Sequence, residues 1–186
     1  MSNGFSSRIT RHPIAYDAGA AADVLARLPG LERATADLIQ GVAGCSPYLR
    51  ALMLREADWL AQVVGAPPEA VLTGVLGDLD AVPPDRLGSA LRQAKRRVAL
   101  LTALCDLGGV WGVMEVTGAL TRLADRAVDL SLKALVAEEI RRGKLPGAGP
   151  DDAADGGGMF CLAMGKMGAG ELNYSSDIDL IIRICS

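Results

Sequence analysis

The chain has 186 residues, half of them hydrophobic and only 4% aromatic, and its formal net charge is −3. That charge leaves no excess of basic side chains to displace counterions, which argues against broad nucleic-acid binding. The apolar stretch from Val98 to Leu120 contains Asp106 and Glu115, so it is too short between charges to span a bilayer. The N-terminus has no signal-peptide pattern and the four cysteines are widely spaced, so we expect a soluble, cytoplasmic protein with reduced thiols.

Six helices are predicted from apolar spacing and from the proline and glycine residues that separate them. They span about residues 17–28, 31–42, 47–63, 68–80, 85–107 and 113–142. Ser46 is expected to cap the third helix, with Pro47 in its first turn. Apolar residues of the last helix recur in steps of four and three from Val116 to Ala137, which is typical of an antiparallel bundle. The basic run at residues 92–97 predicts a solvated helix face.

The composition changes after the last predicted helix. Residues 143–158 are rich in glycine, proline and aspartate, which predicts a flexible linker or surface loop. Two strands follow, Met159 to Met164 and Ile178 to Ile184. Both are almost continuously apolar, which is typical of strands buried on both faces.

Two aspartates, Asp177 and Asp179, interrupt the second apolar strand, where an unpaired charge is costly. Side chains at positions i and i+2 of a strand point to the same face, so we expect the two carboxylates side by side. Paired carboxylates hold Mg²⁺ in phosphoryl and nucleotidyl transfer. The pattern therefore predicts Asp177 and Asp179 as metal ligands and catalytic residues, and the alternative is that they only cap a turn.

The glycine-rich turn before the aspartates is a candidate phosphate site. Gly165 lies twelve positions before Asp177, which leaves room for one short helix whose first amides could face a phosphate. A Walker loop is excluded, because position 160 is phenylalanine and the residue after the lysine is methionine. Lys166 could contact a phosphate or be an exposed helix-start lysine. Ser175 and Ser176 could hydrogen-bond a triphosphate or only shape the turn.

Residues 165–180 closely resemble the signature of bacterial glutamine synthetase adenylyltransferases. They read Gly-Lys-Met-Gly-Ala-Gly-Glu-Leu-Asn-Tyr-Ser-Ser-Asp-Ile-Asp-Leu. Enzymes of this family attach AMP to a tyrosine of glutamine synthetase and also remove it. The resemblance is sharp over about residues 160–182 and loose before them, where residues 46–49 and the basic helix stand in a family-like order.

Together with the helices, the resemblance implies a mainly α fold with a C-terminal α/β piece. A helical, bundle-like region would span residues 1–142, and the linker or loop would span residues 143–158. Residues 159–186 would then be the first strand–helix–strand of a DNA polymerase beta-like nucleotidyltransferase domain.

The resemblance also implies a function. The family has two nucleotidyltransferase domains: the N-terminal one removes AMP by phosphorolysis and yields ADP, and the C-terminal one adds AMP from ATP. This chain begins with its own methionine and reaches the motif after a helical region of suitable length, so we expect the N-terminal, adenylyl-removing half, which regulates nitrogen assimilation. Asp177 and Asp179 would bind Mg²⁺. The residues expected to line the nucleotide and phosphate pocket are Gly165, Lys166, Ser175 and Ser176.

The implied partners are glutamine synthetase and the PII signalling protein. In this superfamily a third carboxylate on a later strand completes the metal site, so we expect the chain to be a truncated fragment that is inactive alone. Two alternatives stay open. One is another nucleotidyltransferase, such as a PII uridylyltransferase, and the other is a non-catalytic helical binding module or remnant.

Overall fold

The computed structural model describes residues 4–184, and within them the fold is mainly helical, as predicted. The described helices are α1 (Phe5–Arg8), α2 (Ala22–Arg27), α3 (Arg33–Cys45), α4 (Pro47–Arg55), α5 (Ala57–Val63), α6 (Pro68–Gly77), α7 (Pro84–Leu107), α8 (Val113–Arg141), α9 (Pro150–Ala154) and α10 (Gly165–Gly168). Short 3-10 helices lie at Gly19–Ala21 and Gly156–Gly158. The strands are β1 (Met159–Ala163) and β2 (Leu180–Ile184).

Helix starts follow the local sequence signals. The Ser46 hydroxyl accepts a hydrogen bond from the Leu49 N–H at 3.2 Å, and Pro47 is the first residue of α4, so the predicted cap is confirmed. Helices α6 and α7 likewise begin at a proline, whose missing N–H costs nothing in a first turn. The prediction of one helix over residues 47–63 is wrong, because α4 ends at Arg55 and α5 begins after Glu56.

The helix break at Glu56 coincides with a buried ionic cluster. The Glu56 side chain is 4% exposed, and its two oxygens accept hydrogen bonds from Arg96 Nε at 2.6 Å and Arg97 Nε at 3.1 Å. Arg97 also lies over the ring of Trp59, 5.2 Å from its centroid. A buried carboxylate needs such partners, so these two arginines turn inward and the predicted solvated face is wrong for them.

The hydrophobic core forms where α3 and α7 meet the shorter helices. Leu38, Ile39, Val98 and Leu100 are fully buried there. Helix α8 packs along α7, with its Ala119 also fully buried. Residues from the start of α7 and from the second half of α8 line one surface groove. The two long helices therefore run antiparallel, which fits the predicted bundle seam. Within residues 4–184 no helix has both the length and the apolar character needed to cross a membrane.

The segment 143–158 is partly ordered against α8 and is not a flexible linker throughout. Helix α9 packs on α8 and buries Ala153. A side chain added at Gly157 would meet Val136 of α8 at 2.9 Å, and the φ angle of this glycine is +61°, which few other residues adopt. The division of the chain into three parts stays a prediction.

The sheet consists of two antiparallel strands, paired from Met159 with Ile184 to Ala163 with Leu180. The second strand therefore begins two residues later than predicted. The prediction that both strands are buried on both faces is also wrong: Phe160 is 40% exposed and every residue of β2 after Leu180 is exposed. One face lies against α8 across a cavity, and in the part of the chain that the structure describes nothing covers the other.

Candidate active site

The signature residues form a one-turn helix followed by a loop. Helix α10 starts directly after β1 with Gly165, whose φ angle of +55° favours glycine. The stretch between α10 and β2, residues 169–179, is here called the signature loop. At Gly168 the helix touches β1, because an added Cβ would lie 3.1 Å from the Ala163 carbonyl carbon and closer still to its oxygen. The helix is therefore seated directly on the strand.

The two aspartates lie in the signature loop, just before β2. Both are exposed, and the prediction that a strand carries both of them is wrong. The Met164 N–H donates to the Asp179 carbonyl at 2.9 Å, so backbone pairing extends one residue beyond β2 and reaches Asp179. This pairing ends where β1 gives way to α10, which explains why Asp177 stays outside the ladder.

The Asp179 carboxylate faces the start of α10. Its Oδ2 lies 3.7 Å from the point that a Cβ on Gly165 would occupy, so the glycine leaves the approach to this carboxylate open. Among residues 4–184, no cationic side chain forms an ion pair with Asp177 or Asp179. Exposed carboxylate oxygens without a cation partner suit a hard divalent cation such as Mg²⁺. No group of three or more Asp, Glu, His or Cys side chains within those residues could hold a metal.

The other predicted site residues lie close in sequence, and the structure shows what each of them contacts. Lys166 is exposed at the start of α10, and its carbonyl accepts the Glu171 N–H at 2.8 Å. Ser175 and Ser176 belong to a turn closed by Asn173, whose Oδ1 accepts the Ser176 hydroxyl at 2.9 Å and the Ser175 N–H at 3.0 Å. The two serines thus shape the turn, which is one of the two roles considered for them from the sequence. Their contact with phosphate stays a prediction.

The signature loop is docked on the helical region. Leu172 is buried, and its N–H donates to the Thr121 hydroxyl of α8 at 3.4 Å. Tyr174 is half-exposed against α7, where partial burial raises its pKa to about 12; the charge of Asp106 acts in the same direction, and contact with Thr102 acts against it. These contacts were not predicted from the sequence, because they join the loop to residues of α7 and α8 that lie far away along the chain.

A cavity of about 410 Å³ lies beside the loop at Gly170. Its wall includes Glu69, whose carboxylate accepts hydrogen bonds from Arg8 at 2.8 Å and from Trp111 Nε1 at 2.8 Å. The bond from Arg8 is the main reason that the pKa of Glu69 falls to about 2, and the bond from Trp111 adds to it. Glu69 is therefore a fixed negative charge that ties α1 and α6 to the segment between α7 and α8.

Comparison with known proteins identifies relatives of this chain. A family model described as glutamate-ammonia ligase adenylyltransferase matches residues 35–185. A Rhodopseudomonas palustris protein is 47% identical over 149 residues, which are 77% of this chain and 15% of that protein. A Bradyrhizobium protein is 46% identical over 150 residues, 78% of this chain and 15% of its own length. A Caulobacter vibrioides protein is 45% identical over 145 residues, 76% of this chain and 15% of its own length.

All three relatives carry the name bifunctional glutamine synthetase adenylyltransferase/adenylyl-removing enzyme. The chain spans about 15% of the length of these relatives. No solved structure matches it. The family model covers most of the chain and includes both the helical core and the signature loop. The chain belongs to the glutamate-ammonia ligase adenylyltransferase family.

Proposed function

We propose that residues 165–180 form part of a nucleotidyl-transfer site that acts on glutamine synthetase. The observation that carries this proposal is that Asp177 and Asp179 are both exposed and form no ion pair with a cationic side chain of residues 4–184, while the Asp179 carboxylate lies beside the open approach at Gly165. The family supports it, since relatives that are 45–47% identical are named for adenylyl transfer to and from glutamine synthetase. Residues 159–184 would then open a DNA polymerase beta-like nucleotidyltransferase domain.

The two carboxylates would hold Mg²⁺, which when bound neutralises charge on phosphate oxygens and orients the reacting groups. Lys166 and the Gly165 backbone would contact a phosphate group of ATP, ADP or inorganic phosphate. Ser175 and Ser176 are proposed phosphate contacts too, and each would have to exchange its bond to Asn173 for one to the ligand. Most of the work of the protein in such a reaction is positioning and electrostatic stabilisation.

We propose that the direction is adenylyl removal, as the signature resemblance implies. Inorganic phosphate would attack the phosphorus of the AMP–tyrosine ester, and the bond from phosphorus to the tyrosine oxygen would break. ADP would leave, and the released tyrosine oxygen would take up a proton. The relatives are named as bifunctional, so their names do not choose between removal and addition. The PII signalling protein as a further partner and the cytoplasm as the location belong to the same proposal.

A second candidate function is a non-catalytic helical module that binds glutamine synthetase or PII. The observation that favours it is that the described residues offer no group of three or more metal-ligating side chains around Asp177 and Asp179. Two carboxylates alone leave most of the ligand positions of Mg²⁺ to water or to other parts of a longer polypeptide.

A chimera separates these candidates. Residues 35–184 of this chain replace the matching segment of the Rhodopseudomonas palustris relative, and the chimera is assayed with Mg²⁺ in both directions. When Asp177 and Asp179 are both changed to asparagine, loss of only the phosphate-dependent ADP release from adenylylated glutamine synthetase would support adenylyl removal. Loss of only AMP incorporation from ATP in that variant would assign the segment to addition. A folded chimera that binds glutamine synthetase and keeps both activities when Asp177 and Asp179 are both changed to asparagine would support the binding module.

A further inference from the structure

The signature loop is held at both ends by other parts of the chain. Near its start, the Leu172 side chain is 4% exposed and its N–H reaches the Thr121 hydroxyl on α8 at 3.4 Å. At its end, the Asp179 carbonyl accepts the Met164 N–H at 2.9 Å. Between these two points lie the turn closed by Asn173 and the exposed aspartates. One anchor therefore belongs to the sheet and the other to the helical region.

The Thr121 hydroxyl is oriented for this contact by its own helix. It donates to the Thr117 carbonyl one turn earlier at 2.9 Å, so its hydrogen is used and a lone pair is available for the Leu172 N–H. Thr121 itself is 6% exposed. A buried backbone N–H that loses its acceptor costs the full free energy of its desolvation. Loop conformations that keep the Leu172 N–H on this hydroxyl are therefore favoured.

We propose that Thr121 is a positioning residue of the adenylyl-transfer site. Its hydroxyl holds the Leu172 amide and thereby sets where the loop carries Asp177 and Asp179 relative to the helical region. Thr121 touches neither aspartate, and it acts through the four residues that separate Leu172 from Asp177. The catalytic consequence rests on the proposed function, whereas the anchor itself does not.

Amide hydrogen exchange on the whole 186-residue chain tests the anchor directly. Thr121→Val keeps the shape of the side chain and removes the acceptor, and Thr121→Ser keeps the hydroxyl. Thr73→Val is the matched control, since Thr73 is an exposed helical threonine that bonds only the Glu69 carbonyl one turn earlier. We expect exchange in residues 171–180 to rise about tenfold in Thr121→Val and to stay at the wild-type rate in the other two.

Unchanged exchange of residues 171–180 in Thr121→Val would overturn the anchor. If Thr121→Val also loosens α7 and α8, Thr121→Ala is compared with Thr121→Ser, because these two variants lack the same methyl group and differ only in the hydroxyl that accepts the Leu172 N–H. We then expect faster exchange in residues 171–180 of Thr121→Ala than of Thr121→Ser, with equal protection in α8, and equal exchange in the loop would again overturn the proposal.

The catalytic consequence is measured in the chimera described above. We expect Thr121→Val to raise the Mg²⁺ concentration for half-maximal rate about 10- to 100-fold, as other residues that orient metal ligands do, with KM for adenylylated glutamine synthetase unchanged. Thr121→Ser should restore the wild-type value. If Thr121→Val needs the same Mg²⁺ concentration for half-maximal rate as Thr73→Val, the positioning role of Thr121 is refuted. An inactive Asp177→Asn enzyme in the same experiment would still support the proposed site. Full activity in Asp177→Asn would instead refute the proposed function, and hydrogen exchange would decide the anchor alone.

Discussion

Replacing Gly168 with alanine tests how tightly α10 is seated on β1. The added Cβ would lie 3.1 Å from the Ala163 carbonyl carbon and closer to the oxygen, whereas non-bonded carbon atoms ordinarily approach to about 3.5–4.0 Å. The neighbour is strand backbone, which cannot rotate away as a side chain can. The helix must therefore shift by several tenths of an ångström or more.

Two opposing effects decide whether Gly168→Ala raises or lowers the free energy of unfolding. Alanine is favoured over glycine in a helix by about 1 kcal/mol, which would stabilise the variant. Forcing an extra carbon against packed atoms costs about 1–3 kcal/mol. Because the Gly168 N–H is also tied to the Met164 carbonyl at 3.2 Å, little relaxation is available and the steric cost should dominate. We expect the free energy of unfolding to fall by about 1 kcal/mol, and adenylyl-removing activity in the chimera to fall by up to about 100-fold if the loop moves with α10.

Urea unfolding of Gly168→Ala and Gly74→Ala measures this difference. Gly74 is the matched control, because it lies inside α6 and an added Cβ meets nothing within 4 Å. Only helix propensity acts at this position, so Gly74→Ala should raise the free energy of unfolding by about 0.5–1 kcal/mol. A Gly168→Ala chain that gains stability as Gly74→Ala does would refute the close packing of α10 on β1.

Two further predictions concern charged residues of the helical region. Glu56→Gln leaves two arginines without their carboxylate and should lower the free energy of unfolding by about 2–3 kcal/mol, because those arginines are only about a quarter exposed. Asp37→Asn, in an exposed pair, should change it by less than about 0.5 kcal/mol, and equal effects in urea unfolding would contradict the buried cluster. The pKa of Glu69 is lowered from 4.5 to about 2, so its contribution to stability is present above about pH 4.5 and is lost as the pH falls towards 2. Glu69→Gln should remove that part of the acid dependence, and an unchanged acid profile would show that Arg8 does not stabilise the carboxylate.

Local sequence signals were enough to locate the starts of α4, α6 and α7 to within a residue. Ser46 caps α4 through its own hydroxyl, and the prolines that begin α6 and α7 lack an N–H, which costs nothing in a first turn. The break at Glu56 could not be predicted this way, since its neighbours are good helix formers. Glu56 is drawn towards arginines about 40 positions later, and this is tertiary information that apolar spacing does not contain.

In the C-terminal region, too, local features were predictable from the sequence and tertiary contacts were not. The glycine turn, the short helix and a strand on either side of them were predicted in the correct order, and these follow from local composition. The start of β2 was predicted too early, because Ile178 continues an apolar run while its potential ladder partner already belongs to α10. The contact between Leu172 and Thr121 joins residues 51 positions apart, so no local pattern could reveal it.

Adenylyl removal by the chimera with Asp177→Asn tests whether the signature loop is the reaction centre. Asp151→Asn is the control, because Asp151 is also exposed but lies in α9 outside the signature loop. With adenylylated glutamine synthetase, Mg²⁺ and phosphate, we expect no detectable ADP release from Asp177→Asn and a wild-type rate from Asp151→Asn. Wild-type ADP release from Asp177→Asn would contradict the assignment of the signature loop as the reaction centre.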